Sequence, residues 1–469
     1  MSGTSALDRL VKKQRIDRGG RIYADAAFDT YATLKDFGRD LSASAPSPTT
    51  THGLPKLPRD ILFIILSKLQ EDKHALQMCM FVCRTWLNEC RSHLFRITHV
   101  SDALYPNRGL RNRSNRVQSF VDFLKGAASP GFCSSIRVLR LSGDQKMSEA
   151  HQRTRINITM LASVLESLPR LRVLDLWRIV LARETGPSRL RTHKFTLDAL
   201  SMHQMSCSID EAAGLFDVLG LFSYISTIDA SYVDVPALTR PVVSGDTTGI
   251  SSSFQVNDVR LKGCLRGQDR PEVRRLSTVG RMLEMLHDLP GTPNLRSLTV
   301  QCGVMGEVKV LGQFLTQVGK SIEFLAIELF ELTREHIDPE TVVQTLHLDE
   351  CTQLKSLRLV IFPNTSEGSR NSAASVCFSL LIGTLSPKIR RLDVILGYND
   401  MENLSTFKWE ALQEAPWRRL KNLEAITFEL MPHRSDSSIE MNARQFISNQ
   451  LPTLRARDIL KFDTKSFWY

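Results

Sequence analysis

Ile136–Leu141 reads IRVLRL and Leu171–Leu176 reads LRVLDL. In each, the first, fourth and sixth residues are apolar. An extended chain sends alternate side chains to opposite faces, so the fourth and sixth residues enter one core and the fifth faces away from it. Weaker copies follow at Leu197-Leu200-Met202, Ile225-Ile228-Ala230, Val256-Val259-Leu261, Leu295-Leu298-Val300, Ile322-Leu325-Ile327, Leu354-Leu357-Leu359, Ile389-Leu392-Val394 and Leu423-Ile426-Phe428. Their middle residues recur at steps of 26 to 39 residues, and self-similarity at such a period signals a solenoid. Helical patterns lie between the copies: Leu161, Val164, Leu165 and Leu168; Leu215, Phe216, Leu219 and Phe222; Leu276, Val279, Leu283 and Leu286; Leu311, Phe314, Leu315 and Val318. Strand then helix, repeated without hairpin signals, predicts an α/β fold with parallel strands inside and helices outside. A doubly wound α/β domain is the competing fold.

Upstream of the first copy, Leu57–Val100 reads LPRDILFIILSKLQEDKHALQMCMFVCRTWLNECRSHLFRITHV. Pro58 and Asp60 suit a helix start. Ile61, Leu62, Ile65, Leu66 and Leu69 then recur at helical spacing. A break at Glu71-Asp72-Lys73 precedes a second helix carrying Leu76, Met80, Val82, Cys83 and Leu87. So short a segment cannot bury this much apolar surface alone. Part of it is expected to face a partner.

The Leu57-Pro58 pair, Ile61-Leu62, Ile65-Leu66, Leu69, Leu76 and the Val82-Cys83-Arg84-Thr85-Trp86 run resemble an F-box, and His93-Leu94-Phe95 resembles the close of its fungal variety. The resemblance implies a small all-helical module that docks on a Skp-family adaptor and, through it, a cullin-based ubiquitin ligase. Leu57, Pro58, Ile61, Leu62, Ile65, Leu66 and Trp86 match positions that form or support the family's docking surface. The repeated units resemble the leucine-rich repeats that often follow an F-box. They lack most of the expected asparagines and most steps exceed the usual length, so an irregular arc is expected. The domain reading is a disordered segment and linker over 1–53, an F-box over 54–98, a connecting segment over 99–130 and a leucine-rich-repeat-like substrate-binding domain over 131–469. Leu41–Gly53, rich in Ser, Thr and Pro, is the flexible part of the first.

Composition narrows the classes. The chain has 469 residues, 42% of them hydrophobic, ample for a large core. Its net charge of +10 is spread thinly and accompanies no nucleic-acid-binding motif, so no nucleic acid partner is expected. Nine cysteines without framework spacing favour reduced thiols and a cytoplasmic or nuclear setting. The longest apolar run, Ile61 to Leu66, is far short of a membrane span. The N-terminus carries no signal-peptide pattern.

No catalytic residue, cofactor or metal is expected. Gly312 to Ser321 ends like a phosphate loop, but position 314 is Phe where that motif needs glycine, so Gly319 reads as a helix cap. Cys79, Cys83, Cys90 and His93 do not read as a zinc site: Cys79 and Cys83 are a helix turn apart, whereas such a site opens with two close cysteines on a turn, so the cysteines read as core residues. Arg108, Arg111, Arg113 and Arg116 read as a solvated basic loop. The chain is therefore expected to be the substrate receptor of a cullin-type ligase, holding a protein target near the ligase. The rivals are a scaffold that uses the adaptor without ubiquitylation, and an enzyme with a deep pocket of clustered ionisable groups. Strand parity puts the target site on the open face, with Arg140, Asp175, Trp177, Arg260, Lys262 and Arg358 as candidates. The arginines and Lys262 make that face read as net basic, which favours an acidic or phosphorylated target.

Overall fold

The computed structural model describes residues 58–69, 72–102, 116–126, 130–143, 154–182, 194–207, 212–233, 254–263, 278–289, 292–329, 339–361, 378, 381–398, 400–405, 407–432 and 437–463. Three helices come first: α1 (Arg59–Lys68), α2 (Lys73–Cys79) and α3 (Arg84–Leu94). Fifteen strands are described after them: β1 (Ile97–Ser101), β2 (Val138–Ser142), β3 (Arg155–Asn157), β4 (Val173–Trp177), β5 (Val180–Ala182), β6 (Phe195–His203), β7 (Ser206–Cys207), β8 (Phe222–Ser231), β9 (Gln255–Lys262), β10 (Ser297–Cys302), β11 (Phe324–Leu329), β12 (Ser356–Ile361), β13 (Arg391–Tyr398), β14 (Ala425–Pro432) and β15 (Leu460–Asp463).

Twelve of the strands form one sheet in the order β1-β2-β4-β6-β8-β9-β10-β11-β12-β13-β14-β15. Every pairing is parallel, and the order follows the chain without reversal. A doubly wound sheet requires a reversal, so the sheet is not of that kind. The fold is α/β, with helices in the crossovers between parallel strands, which need connections of this length. The register aligns the repeated units residue for residue. Leu139 pairs with Leu174, Leu174 with Leu200, Leu200 with Ile228 and Ile228 with Val259. Leu298 continues the row through Leu325, Leu357, Leu392 and Ile426. A small second sheet runs in the order β3-β5-β7, with β5 and β7 directly after the turns that follow β4 and β6.

The core lies between the sheet and its helices. The fourth and sixth residues of each unit join one continuous cluster with Val117, Phe120, Val121 and Leu124 of the helix Arg116–Gly126 and with Leu161, Val164 and Leu165 of Ile158–Ser167. Asn157 caps the latter helix by accepting from Met160 N at 2.8 Å. Helix packing is close around Met305–Val318. Gly312 sits inside this helix, where a Cβ would stand 1.7 Å from the Thr345 carbonyl oxygen of the neighbouring helix Pro339–Leu346. Gly319 ends the helix as expected, but with an ordinary right-handed φ of −55°. The Glu350 backbone comes within 3.0 Å of a would-be Cβ there, a tight approach that favours glycine. Gly312–Ser321 is thus helix and 3-10 turn throughout, with no phosphate-wrapping loop.

The turns after three successive strands share a feature. Arg178, Gln204 and Tyr232 directly follow β4, β6 and β8, with φ of 55°, 51° and 56°. Each donates its backbone N–H to the last residue of the next strand: His203, Ser231 and Lys262. The next residues, Ile179, Met205 and Val233, are buried. At the far end of the sheet, two indoles repeat one device. Trp409 Nε1 donates to Leu404 O at 2.8 Å and Trp417 Nε1 to Leu412 O at 2.6 Å, both buried.

Candidate functional site

The helices α1–α3 have a small core of their own: Leu62, Leu66, Leu76, Met80 and Cys90. Leu69, Cys79, Trp86, Leu87 and Leu94 pack against it, and Leu94 also touches the main core. Capping fixes the turns. Asp72 accepts from Ala75 N at 2.9 Å at the start of α2, and Asp60 and Lys68 complement the dipole of α1. α1 carries six consecutive apolar residues, which wrap right round a helix. Only Leu62 and Leu66 point inward. Ile61, Phe63, Ile64 and Ile65 are exposed, at 45%, 54%, 54% and 37%. The turn between α2 and α3 adds Phe81 and Val82, 66% and 63% exposed, and Met78 is exposed beside them. Exposed large apolar side chains in this number are the kind of feature by which an interaction surface is recognised.

This placement sorts the residues expected to bind the adaptor. Pro58, Ile61 and Ile65 are at the surface. Leu62 and Leu66 are buried and can support the surface without touching a partner. Trp86 is half-buried against the small core. Leu57 lies outside the described residues, as do the N-terminal segment, the linker and the loop arginines Arg108, Arg111 and Arg113. Two expectations are corrected. The second helix is two helices, broken at Met80–Cys83. Cys83 is no core residue: it is exposed, in extended backbone at the N-terminus of α3. Cys90 takes the core place, where burial pushes its thiol up to about 11. Phe63, Ile64, Met78 and Phe81 were missed as surface candidates, although the unbroken apolar run of α1 signals that one face must remain outside.

The open face of the sheet is the second surface. Asp175 and Trp177 stand on it, opposite the buried Leu174 and Leu176. One row of aligned residues runs His99, Arg140, Asp175, Ser201 across β1, β2, β4 and β6, and the next holds Trp177, His203 and Ser231. Arg140 Nε lies 3.4 Å from Asp175 Oδ2, and His203 Nε2 lies 4.0 Å from Asp175 Oδ1. His203 Nδ1 meets Ser231 Oγ at 2.5 Å. The His203 ring packs on Trp177 at 5.1 Å, and the Arg178 guanidinium sits 5.9 Å from the Trp177 ring centroid. Asp175 Oδ1 is sealed from solvent with no hydrogen-bond partner. Burial raises the Asp175 pKa; His203, Arg140 and His99 pull it down, and Asp229 adds to the rise. Ser231, His203 and Asp175 are residue types of an acyl-transfer triad, but the hydrogen bond from His203 to Asp175 that such a triad needs is not made: Asp175 Oδ1 has no hydrogen-bond partner and lies 4.0 Å from His203 Nε2.

The open face is not net basic, because each expected cation faces an acid. Arg140 faces Asp175, Arg260 pairs with Asp258 at 2.8 Å, and Arg358 reaches over β13 to Glu429 at 2.7 Å. Lys262 draws down the pKa of Glu328, which burial otherwise raises. Other strands supply Asp175, Glu328 and Glu429, and Asp258 stands two residues before Arg260 on β9 itself. Toward the C-terminal end the same face is closed: Ala326, Ile395, Thr427 and Met431 are buried.

Among the described residues no three His, Cys, Asp or Glu side chains group as metal ligands. No helix among them is long and apolar enough to cross a membrane. No protein-family model matches this chain, and no curated protein sequence matches it.

Proposed function

We propose that the chain is the substrate-recognition subunit of a Skp-cullin-F-box type ubiquitin ligase. In this reading α1–α3 are the F-box that docks on a Skp-family adaptor. The parallel-sheet domain is a leucine-rich-repeat-like solenoid that holds a protein target. The chain makes and breaks no bond; it raises the local concentration of the target beside the ligase. The observation that carries the reading is the apolar surface of α1 and the α2–α3 turn. Ile61, Phe63, Ile64, Ile65, Phe81 and Val82 are exposed on a module with its own core. The Leu-Pro and Val-Cys-Arg-x-Trp runs supply the resemblance that names the partner. The target face has mixed charge, so it suits a polar target segment with both signs.

The test is co-purification of a Skp-family adaptor and a cullin with the full chain. Ile61→Ala with Ile65→Ala removes two exposed anchors and leaves Leu62 and Leu66 in place. Each buried anchor at an interface contributes about 2 kcal/mol or more, so adaptor recovery should fall at least about thirtyfold. Circular dichroism should be unchanged. Full recovery of the adaptor by this variant sinks the assignment. Recovery of adaptor without cullin would instead support a scaffold that does not promote ubiquitylation.

A further inference from the structure

Along one edge of the large sheet, the residue at each strand entry holds the next rung. Arg96 O accepts from Arg137 N and Val138 N, Arg137 O from Arg172 N and Val173 N, and Arg172 O from Asp198 N and Ala199 N. The same pattern resumes at Asn257, Arg296, Glu323, Lys355 and Arg390, ending on Glu424. These entry residues form a row of side chains about 4.8 Å apart from rung to rung.

The two halves of the row differ in charge. In the later half the signs are matched. Lys355 Nζ meets Glu323 at 2.6 Å and Arg390 lies 3.8 Å from Glu424. The hydrogen bond from Lys355 holds the Glu323 pKa down, with Arg296 adding to the effect. In the first half Arg96, Arg137 and Arg172 occupy three adjacent rungs, and Arg170 joins them. Arg172 lies 3.8 Å from Asp198, a loose pair with both side chains 65% exposed. Among the described residues no carboxylate is in ion-pair reach of Arg96, Arg137 or Arg170. The Arg137 pKa is lowered, by desolvation first and then by Arg170, Arg172 and Arg96. Like charges directly opposite across strands are destabilising. The fold does not demand them, since the same position elsewhere holds Asp198, Asn257 and Glu323.

We propose that the Arg96, Arg137, Arg170 and Arg172 edge binds a phosphorylated segment of a partner protein. Guanidinium groups meet phosphate oxygens through paired hydrogen bonds, and a phosphoserine brings up to two negative charges. The dianion would relieve the repulsion that the free edge carries. The width of the edge selects the occupant. Three rungs span about 10 Å, and the row then meets Asp198. That suits one or two phosphate groups on a polypeptide; a longer anionic tract, such as a nucleic acid strand, would run onto the carboxylate. The site begins at Arg96, two residues past the end of α3, and Arg137, Arg170 and Arg172 belong to the sheet domain, so it does not depend on whether α1–α3 dock an adaptor.

The test is fluorescence anisotropy of the full chain with a short glycine-rich peptide carrying two adjacent phosphoserines. Arg137→Ala with Arg172→Ala should weaken binding at least about tenfold. Lys355→Ala with Arg390→Ala, from the matched half of the row, should leave it unchanged. The unphosphorylated peptide should not bind. Thermal unfolding of the arginine variant should match or exceed wild type, because repulsion has been removed. Should it fall, the single change Arg137→Gln repeats the titration on a half-exposed position. The proposal is overturned by no saturable binding to wild type, by equal loss in both double variants, or by binding that ignores phosphorylation. It is also overturned if phosphatidylserine vesicles or single-stranded DNA bind more tightly through the same arginines.

Discussion

Asp175 holds its proton to higher pH when folded than when unfolded, because its carboxyl is buried more deeply than its cationic neighbours compensate. The sign of the consequence follows from proton binding. Between the unfolded and folded pKa values the folded chain binds more protons, so stability falls as pH rises through that window and stays lower above it. Asp175→Asn has no such step. The melting temperature of the variant, measured relative to wild type, should therefore become more favourable from about pH 3 to about pH 7. A difference that is flat or falls with pH would show that ionised Asp175 is not disfavoured by the fold. The facing of Asp175 was legible in LRVLDL, because strand parity alone opposes it to Leu174 and Leu176. Its surroundings were not. Arg140 and His203 come from neighbouring rungs, and their approach depends on a register that only the folded sheet sets. The open face read as basic for a different reason: Asp175, Asp258 and Glu328 share its parity, and a count of its cations alone leaves them out.

Among the elements, α1 was readable as a helix but not as to which residues it buries. Six apolar residues in a row satisfy every face, and the choice of Leu62 and Leu66 is made by packing against Leu76, Met80 and Cys90. The turns after β4, β6 and β8 were unreadable for another reason. Left-handed backbone is ordinarily announced by glycine, and here Arg178, Gln204 and Tyr232 occupy it. Left-handed backbone costs an L-residue about 1–2 kcal/mol, and most for β-branched side chains. Gln204→Gly should shift stability by less than about 1 kcal/mol, since relief of that cost is offset by the flexibility of the unfolded chain. Gln204→Val should destabilise by about 1–2 kcal/mol. Urea unfolding of the pair checks this. Equal stabilities for the two variants would mean that the turn does not hold its φ in solution.

At the scale of the molecule, the repeated trios made the strand order legible, because consecutive units were expected to stack side by side. Each strand of the large sheet pairs only with its neighbours in that order, so a local defect has no direct route to a distant rung. Gly312→Ala supplies such a defect: the new methyl meets the Thr345 carbonyl, and overpacking of this kind costs about 1–3 kcal/mol. Hydrogen exchange read by mass spectrometry should quicken in β10, β11 and β12 first, with β2 and β4 near wild type. Uniform acceleration across the sheet would instead mean that the chain opens as a single unit. The placement of the indoles turns this into something that can be watched by light. Trp86 lies in the helical module, Trp177 on the open face, and Trp409 and Trp417 inside the far end. Variants keeping one of these four emitters, with the fifth indole, Trp468 outside the described residues, also replaced, would each report a different stretch of the chain. The order in which their emission shifts to the red would then trace the path along which the structure comes apart.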